Sequence, residues 1–162
     1  MCIPCWMPPG TQLWFPEPDQ NQHVKATPSL KQFFPAFVWF LIVLVLLCIP
    51  GKEMPESKFS IPDADKLVHF FMFGLMTFLF CRPFMLSDSP TPSRKKTIYL
   101  YIVLAVCFWG LATEFIQKYF VPNRDFELLD WLADSLGAFA AFIIVKRKSE
   151  QRNESIKMPI NP

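Results

Sequence analysis

The chain has 162 residues, a net charge of +2 and only 19% charged side chains, below the roughly 25% usual in soluble domains. Its hydrophobic share is 52% and its mean hydropathy +0.25, with 18 phenylalanines. So small a net charge excludes a nucleic-acid partner, and the apolar composition points to an integral membrane protein.

Residues 1–32 read as a disordered, Pro-rich N-terminal extension. Pro4, Pro8, Pro9, Pro16, Pro18 and Pro28 break any helix there. No basic start leads into an apolar run, so this is not a signal peptide; a later translation start, at Val24 or Leu30, stays open. Cys2-x-x-Cys5 has metal or redox spacing but no second ligand pair. Cys48, Cys81 and Cys107 read as small core or lipid-facing residues.

Four apolar segments follow. The first spans Phe33–Ile49 and ends at Pro50-Gly51. The second spans Leu67–Cys81, with Arg82-Pro83 ending it, and is short unless it begins at Asp65 or continues through Leu86. The third spans Thr97–Phe120. The fourth spans Leu128–Val145 and stops at Lys146-Arg147-Lys148. A spanning helix needs about 20 apolar residues, with a range of about 17–25. A soluble four-helix bundle would need a polar stripe on each helix. Residues 36–49 and 98–113 have none. The expected fold is therefore all-α: a polytopic bundle of four transmembrane helices over 33–145, with a basic cytoplasmic tail at 146–162.

Lys and Arg in the connections set the orientation. The flank before the first helix, the loop between the second and third, and the tail hold 11 basic residues; the other two connections hold 5. Both termini are expected in the cytoplasm of a multi-pass cell-membrane (inner-membrane) protein. Two polar clusters then fall on the same outer face. One is Asp65, Lys66 and His69. The other is Glu114 and Gln117, followed by Arg124, Asp130, Asp134 and Gly137. Spacings of three and four put Asp65 and Lys66 beside His69, Glu114 beside Gln117, and Asp130 beside Asp134, each on one face of its own helix. Ionisable groups at membrane depth are costly and mark function by default.

Each residue also has a plainer role. Asp63 or Asp65 suits a helix cap, Glu114 and Lys118 suit an i,i+4 pair, and Lys66 and Lys118 can snorkel. The convergence of so many hydrogen-bonding types argues for a site. His69 and Glu114 are the candidate acid–base residues. Arg124 is a bidentate donor for carboxylate or phosphate. Ser135 is the one Ser or Cys within the constellation, and it lacks a nucleophile-elbow context. Metal binding by His69, Glu114 and Asp130 or Asp134 is conceivable, but a single histidine makes it weak, so no metal or cofactor is expected.

The segments D-K-L-V-H-F-F-M-F-G (65–74) and E-F-I-Q-K-Y-F-V-P-N-R-D-F-E-L-L-D-W-L-A-D-S-L-G-A (114–138) resemble the VanZ-like family. That family is named for an accessory membrane protein of glycopeptide-resistance clusters, associated with teicoplanin resistance. The resemblance covers residues 33–145. It implies motif positions at Asp65, Lys66, His69, Glu114, Gln117, Arg124, Asp130, Asp134 and Gly137. Relatives often carry Asn where this chain has Asp134, and Tyr where it has Phe73. The functional expectation is a bacterial-envelope protein affecting glycopeptide susceptibility through an outward polar pocket. Its partners would be the lipid bilayer and an anionic envelope precursor or glycopeptide. The alternative is a membrane-embedded enzyme acting on a lipid-linked envelope precursor.

Overall fold

The computed structural model describes residues 27–49, 64–88, 90–122 and 124–157. Residues 1–26, and the caps expected at Asp63 and its neighbours, lie outside the described residues. Every regular element among the described residues is helical. A 3-10 turn, Leu30–Phe33, leads into α1 (Phe34–Leu47), followed by α2 (Ala64–Leu86), α3 (Pro92–Phe120) and α4 (Leu128–Lys157). All four are long and apolar enough to cross a membrane, α1 only when counted with its leading turn as Leu30–Leu47.

α1 carries no charged side chain and exposes Phe34, Phe37, Leu41 and Val45. A helix apolar on every face is stable only when lipid or protein surrounds it. Pro35 in its first turn and Pro92 at the start of α3 occupy positions where no backbone N–H is needed.

Three expected ends move outward. Arg82-Pro83 does not end α2, which runs to Leu86 with Pro83 inside its last turn. There the proline removes a single bond, and the Ser87 N–H closes the turn on the Pro83 carbonyl at 3.1 Å. α3 begins at Pro92 rather than Thr97. α4 does not stop at Val145 but continues through Lys146-Arg147-Lys148 to Lys157. Lys, Arg, Gln and Glu are good helix formers, so a run of charge marks where a helix leaves apolar surroundings without ending it.

The helices alternate in direction. The contacts of α2 with α4 pair start with start and end with end, whereas those of α3 with α4 run antiparallel. α2 and α4 share the most extensive contact, and α1 lies against α2 at the edge. Glycines bring the first pair together. A Cβ on Gly137 would stand 2.1 Å from the Phe70 carbonyl oxygen, and one on Gly74 would stand 3.2 Å from the Gly137 oxygen. Small residues let membrane helices approach backbone to backbone. Val43, Met72, Phe73, Met76, Val103, Val106 and Ala138 fill the core beside that crossing. Two indoles lock neighbours: Trp39 Nε1 donates to the Met72 carbonyl and Trp131 Nε1 to the Cys107 carbonyl, each at 3.0 Å.

A candidate site where four helix ends meet

The C-terminal ends of α1 and α3 and the N-terminal ends of α2 and α4 come together at one end of the bundle. Both polar clusters lie there. His69 is 3% exposed, Gln117 and Asp130 2%, and Glu114 and Asp134 fully buried, so bulk solvent does not reach these groups.

His69, in the second turn of α2, stands between two acids of α4. Its Nδ1 is 3.0 Å from Asp134 Oδ1, and its Nε2 is 3.9 Å from Asp130 Oδ2. Its ring stacks at 6.3 Å on Phe73, one turn along. A carboxylate on one ring nitrogen fixes the orientation of the imidazole and turns the other nitrogen to a reactant or ligand. Gly110 makes the room for Asp134: a Cβ there would lie 2.9 Å from Asp134 Oδ2.

Lys66 sits 3.5 Å from both Asp65 and Glu127 and 3.8 Å from Asp130. Glu114 Oε2 accepts the Glu127 backbone N–H at 3.0 Å. Glu127 immediately precedes α4, so Glu114 takes up one of the donors that a helix start leaves without an intrahelical partner. Gln117 Nε2 donates to the Leu47 carbonyl at 3.1 Å, capping the last turn of α1. The capping role expected for Asp65 thus has counterparts in Glu114 and Gln117, which tie α3 to its neighbours.

Arg124 and Asp65 reach a cavity of about 140 Å³ between α1 and α2. Leu46, Leu47, Val68, Met72 and His69 complete its lining. Arg124 Nε is buried there with no protein acceptor. Asp125 is exposed, and Gly137 belongs to the α2–α4 crossing, one turn deeper than Asp134. Ser135 Oγ has no hydrogen-bond partner, so among the described residues there is no Ser–His pair of the kind nucleophilic catalysis needs.

Three buried carboxylate oxygens also lack a hydrogen-bond donor: Glu114 Oε1, Asp130 Oδ1 and Asp134 Oδ2. One donor atom from each of His69, Glu114 and Asp134 lies within 4.8 Å of the others, as does one from each of Asp65, Glu127 and Asp130. The first trio is wholly buried, and the second is mostly exposed.

Two residues of this network are absent from the sequence reading. Glu127 carries no motif signal, although its place just before an apolar helix marks it as a helix-entry residue. Gly110 lies in an apolar run where only the packing reveals its use.

Comparison with known proteins gives the chain its relatives. A family profile described as VanZ/LLP1 matches residues 11–149. The match begins inside the Pro-rich extension, upstream of the 33–145 core. An uncharacterized protein of Schizosaccharomyces pombe is 33% identical over 117 residues, covering 72% of this chain and 68% of the relative. No solved structure matches. With the profile spanning most of the chain, and four helices fit to cross a bilayer, the chain belongs to the VanZ/LLP1 family of multi-pass membrane proteins.

Proposed function

We propose that the chain binds a membrane amphiphile with an anionic head group, in the cavity between α1 and α2. The observation that carries this is the lining: four apolar side chains on one side, and Asp65, His69 and the partnerless Arg124 Nε on the other. Small-molecule sites are mostly apolar, with a few convergent polar groups. An acyl or prenyl chain suits Leu46, Leu47, Val68 and Met72. A phosphate or carboxylate suits the fork of Arg124, with Lys66 as the nearby cation. Asp130 and Asp134 hold His69 toward the head group, and Glu114, Gln117 and Gly137 hold the helix ends in register.

The narrower form, carried by the family resemblance, is a bacterial-envelope protein. Its termini are cytoplasmic, its site faces outward, and its ligand is an anionic envelope precursor or a glycopeptide. Its test is teicoplanin susceptibility of a sensitive host expressing the chain. A shift that vanishes in His69→Ala, Glu114→Ala and Arg124→Ala supports it, and an unchanged shift in those variants removes it.

The binding reading is tested on purified protein in nanodiscs, by native mass spectrometry with phosphatidic acid against phosphatidylcholine. Wild type is expected to retain the anionic lipid, and Arg124→Ala to lose about tenfold in affinity, the scale of one charge-assisted hydrogen bond. Equal retention of both lipids by wild type sinks the reading. A second reading, hydrolysis of the bound head group, is favoured by the 3.0 Å His69–Asp134 contact, which suits His69 as a general base. It requires turnover by wild type that His69→Ala abolishes.

A further inference from the structure

Charge is unbalanced in the buried floor beneath the cavity. Lys66 faces three acids at once, Asp65, Glu127 and Asp130. That leaves Glu114 and Asp134, both fully buried, with His69 as their nearest basic group. Among the described residues no lysine or arginine pairs with either. Two buried carboxylates without a matching cation are costly, since each loses its hydration without an equal return. Each also carries one oxygen, Glu114 Oε1 and Asp134 Oδ2, without a donor. Native structures rarely leave such atoms buried and unsatisfied unless something else occupies their neighbourhood.

We propose that His69, Glu114 and Asp134 bind a divalent cation of the zinc or manganese class. Each of α2, α3 and α4 supplies one ligand, and the three donor atoms lie within 4.8 Å of one another. One imidazole nitrogen with two carboxylate oxygens is a donor set these ions accept. Three protein ligands leave a fourth position for water or a bound head group, as in catalytic rather than structural zinc sites. Donors of a four-coordinate ion with bonds of about 2.1 Å stand about 3.4 Å apart, so the widest separation in the trio closes by up to about 1.4 Å on binding, while the 3.0 Å His69–Asp134 contact opens slightly. The cation's two positive charges cancel those of Glu114 and Asp134.

The histidine's other nitrogen is also provided for. If Nδ1, beside Asp134, takes the metal, the proton resides on Nε2 and faces Asp130 at 3.9 Å. A carboxylate behind a ligating histidine is the usual arrangement that holds the ring and raises its basicity. The missing side chain of Gly110 serves the same end, since the Asp134 carboxylate takes up that space between α3 and α4. The sequence expectation of no metal rested on there being a single histidine; the buried acids from two further helices make up the count.

This extends the site of the amphiphile reading without depending on it, because metal content and lipid retention are measured separately. The full chain is purified without a polyhistidine tag, in a Cys2→Ser, Cys5→Ser background that silences the N-terminal thiols. It is equilibrated with zinc or manganese, dialysed, and assayed by plasma mass spectrometry. About one equivalent per chain is expected for one of the two ions. Glu114→Gln and Asp134→Asn are expected to lose it, and Asp130→Asn to keep it with about tenfold or more weaker affinity. Uptake of neither ion by folded wild type overturns the proposal, as does a full equivalent retained by Glu114→Gln. Should those variants fail to fold, the cobalt spectrum of the wild-type chain decides: nitrogen and oxygen ligation upholds the site, and thiolate ligation overturns it.

Discussion

The two ends of the bundle handle polar groups in opposite ways. At the end distal to His69, polar side chains find partners. Lys95 donates to the Ser87 carbonyl, and Arg152 reaches the Met85 carbonyl at 3.2 Å and Asp88 at 3.5 Å. Lys96 pairs with Glu150 at 3.0 Å, and Tyr99 reaches Ser149 at 3.5 Å. At the His69 end, buried oxygens of Glu114, Asp130 and Asp134 and the Arg124 Nε have no hydrogen-bond partner. The difference is satisfaction: the polar groups named at the distal end are matched, whereas the His69 end keeps some buried atoms without a partner, which is what the proposed binding rests on.

The contrast is open to attack by mutation. The largest expected effect joins the two ends. Gly137→Ala puts a methyl within 2.1 Å of a backbone oxygen, and overpacking of that kind costs about 1–3 kcal/mol or more. Loss of expression, or a much lower detergent melting temperature, is expected; near-wild-type stability means that α2 and α4 do not touch as described. Next comes Lys95→Met at the paired end. Removing a buried charged donor is expected to cost about 1–3 kcal/mol and to leave lipid retention unchanged. A binding defect in this variant erases the distinction between the ends.

Asp134→Asn carries the opposite sign. It removes a buried charge while keeping an acceptor for His69 Nδ1, so the metal-free, ligand-free chain is expected to gain about 1 kcal/mol as its binding falls. Stability lost together with binding would make Asp134 a structural residue. The smallest effect is Lys96→Ala, whose pair is 53% and 44% exposed. Such pairs contribute about 0–1 kcal/mol, and a thermal scan is expected to show almost no shift.

Much of this was legible in the sequence, for separable reasons. Helix number and class follow from hydropathy, because a membrane-spanning stretch has no polar period to mislead. The meeting of Asp65–His69 with Glu114–Asp134 at one end follows from alternation of direction alone. Helix ends were less legible: at Val145 and at Arg82-Pro83 the signals marked changes of surroundings rather than of backbone. Partnerships within the site were not legible at all. That Asp134 takes His69 Nδ1 while Asp130 lies between Lys66 and Nε2 depends on helix rotation, as does the hold of Gln117 on the end of α1. The use of Gly110 is visible only once Asp134 is seated against it.

The Gly74–Gly137 contact has a mechanical consequence. Asp134 lies three residues from that crossing and His69 five from Gly74, arms of about 4.5 and 7.5 Å along their helices. Arg152 lies fifteen residues away on the same helix, about 22 Å. If α4 rocks by about 10° against α2, the crossing acts as a fulcrum: Asp134 shifts by less than about 1 Å, while Arg152 sweeps about 4 Å. Arg152 opposes that sweep, since it ties α4 to the Met85 carbonyl and to Asp88 at the end of α2, while the short arms keep the His69–Asp134 pair in register.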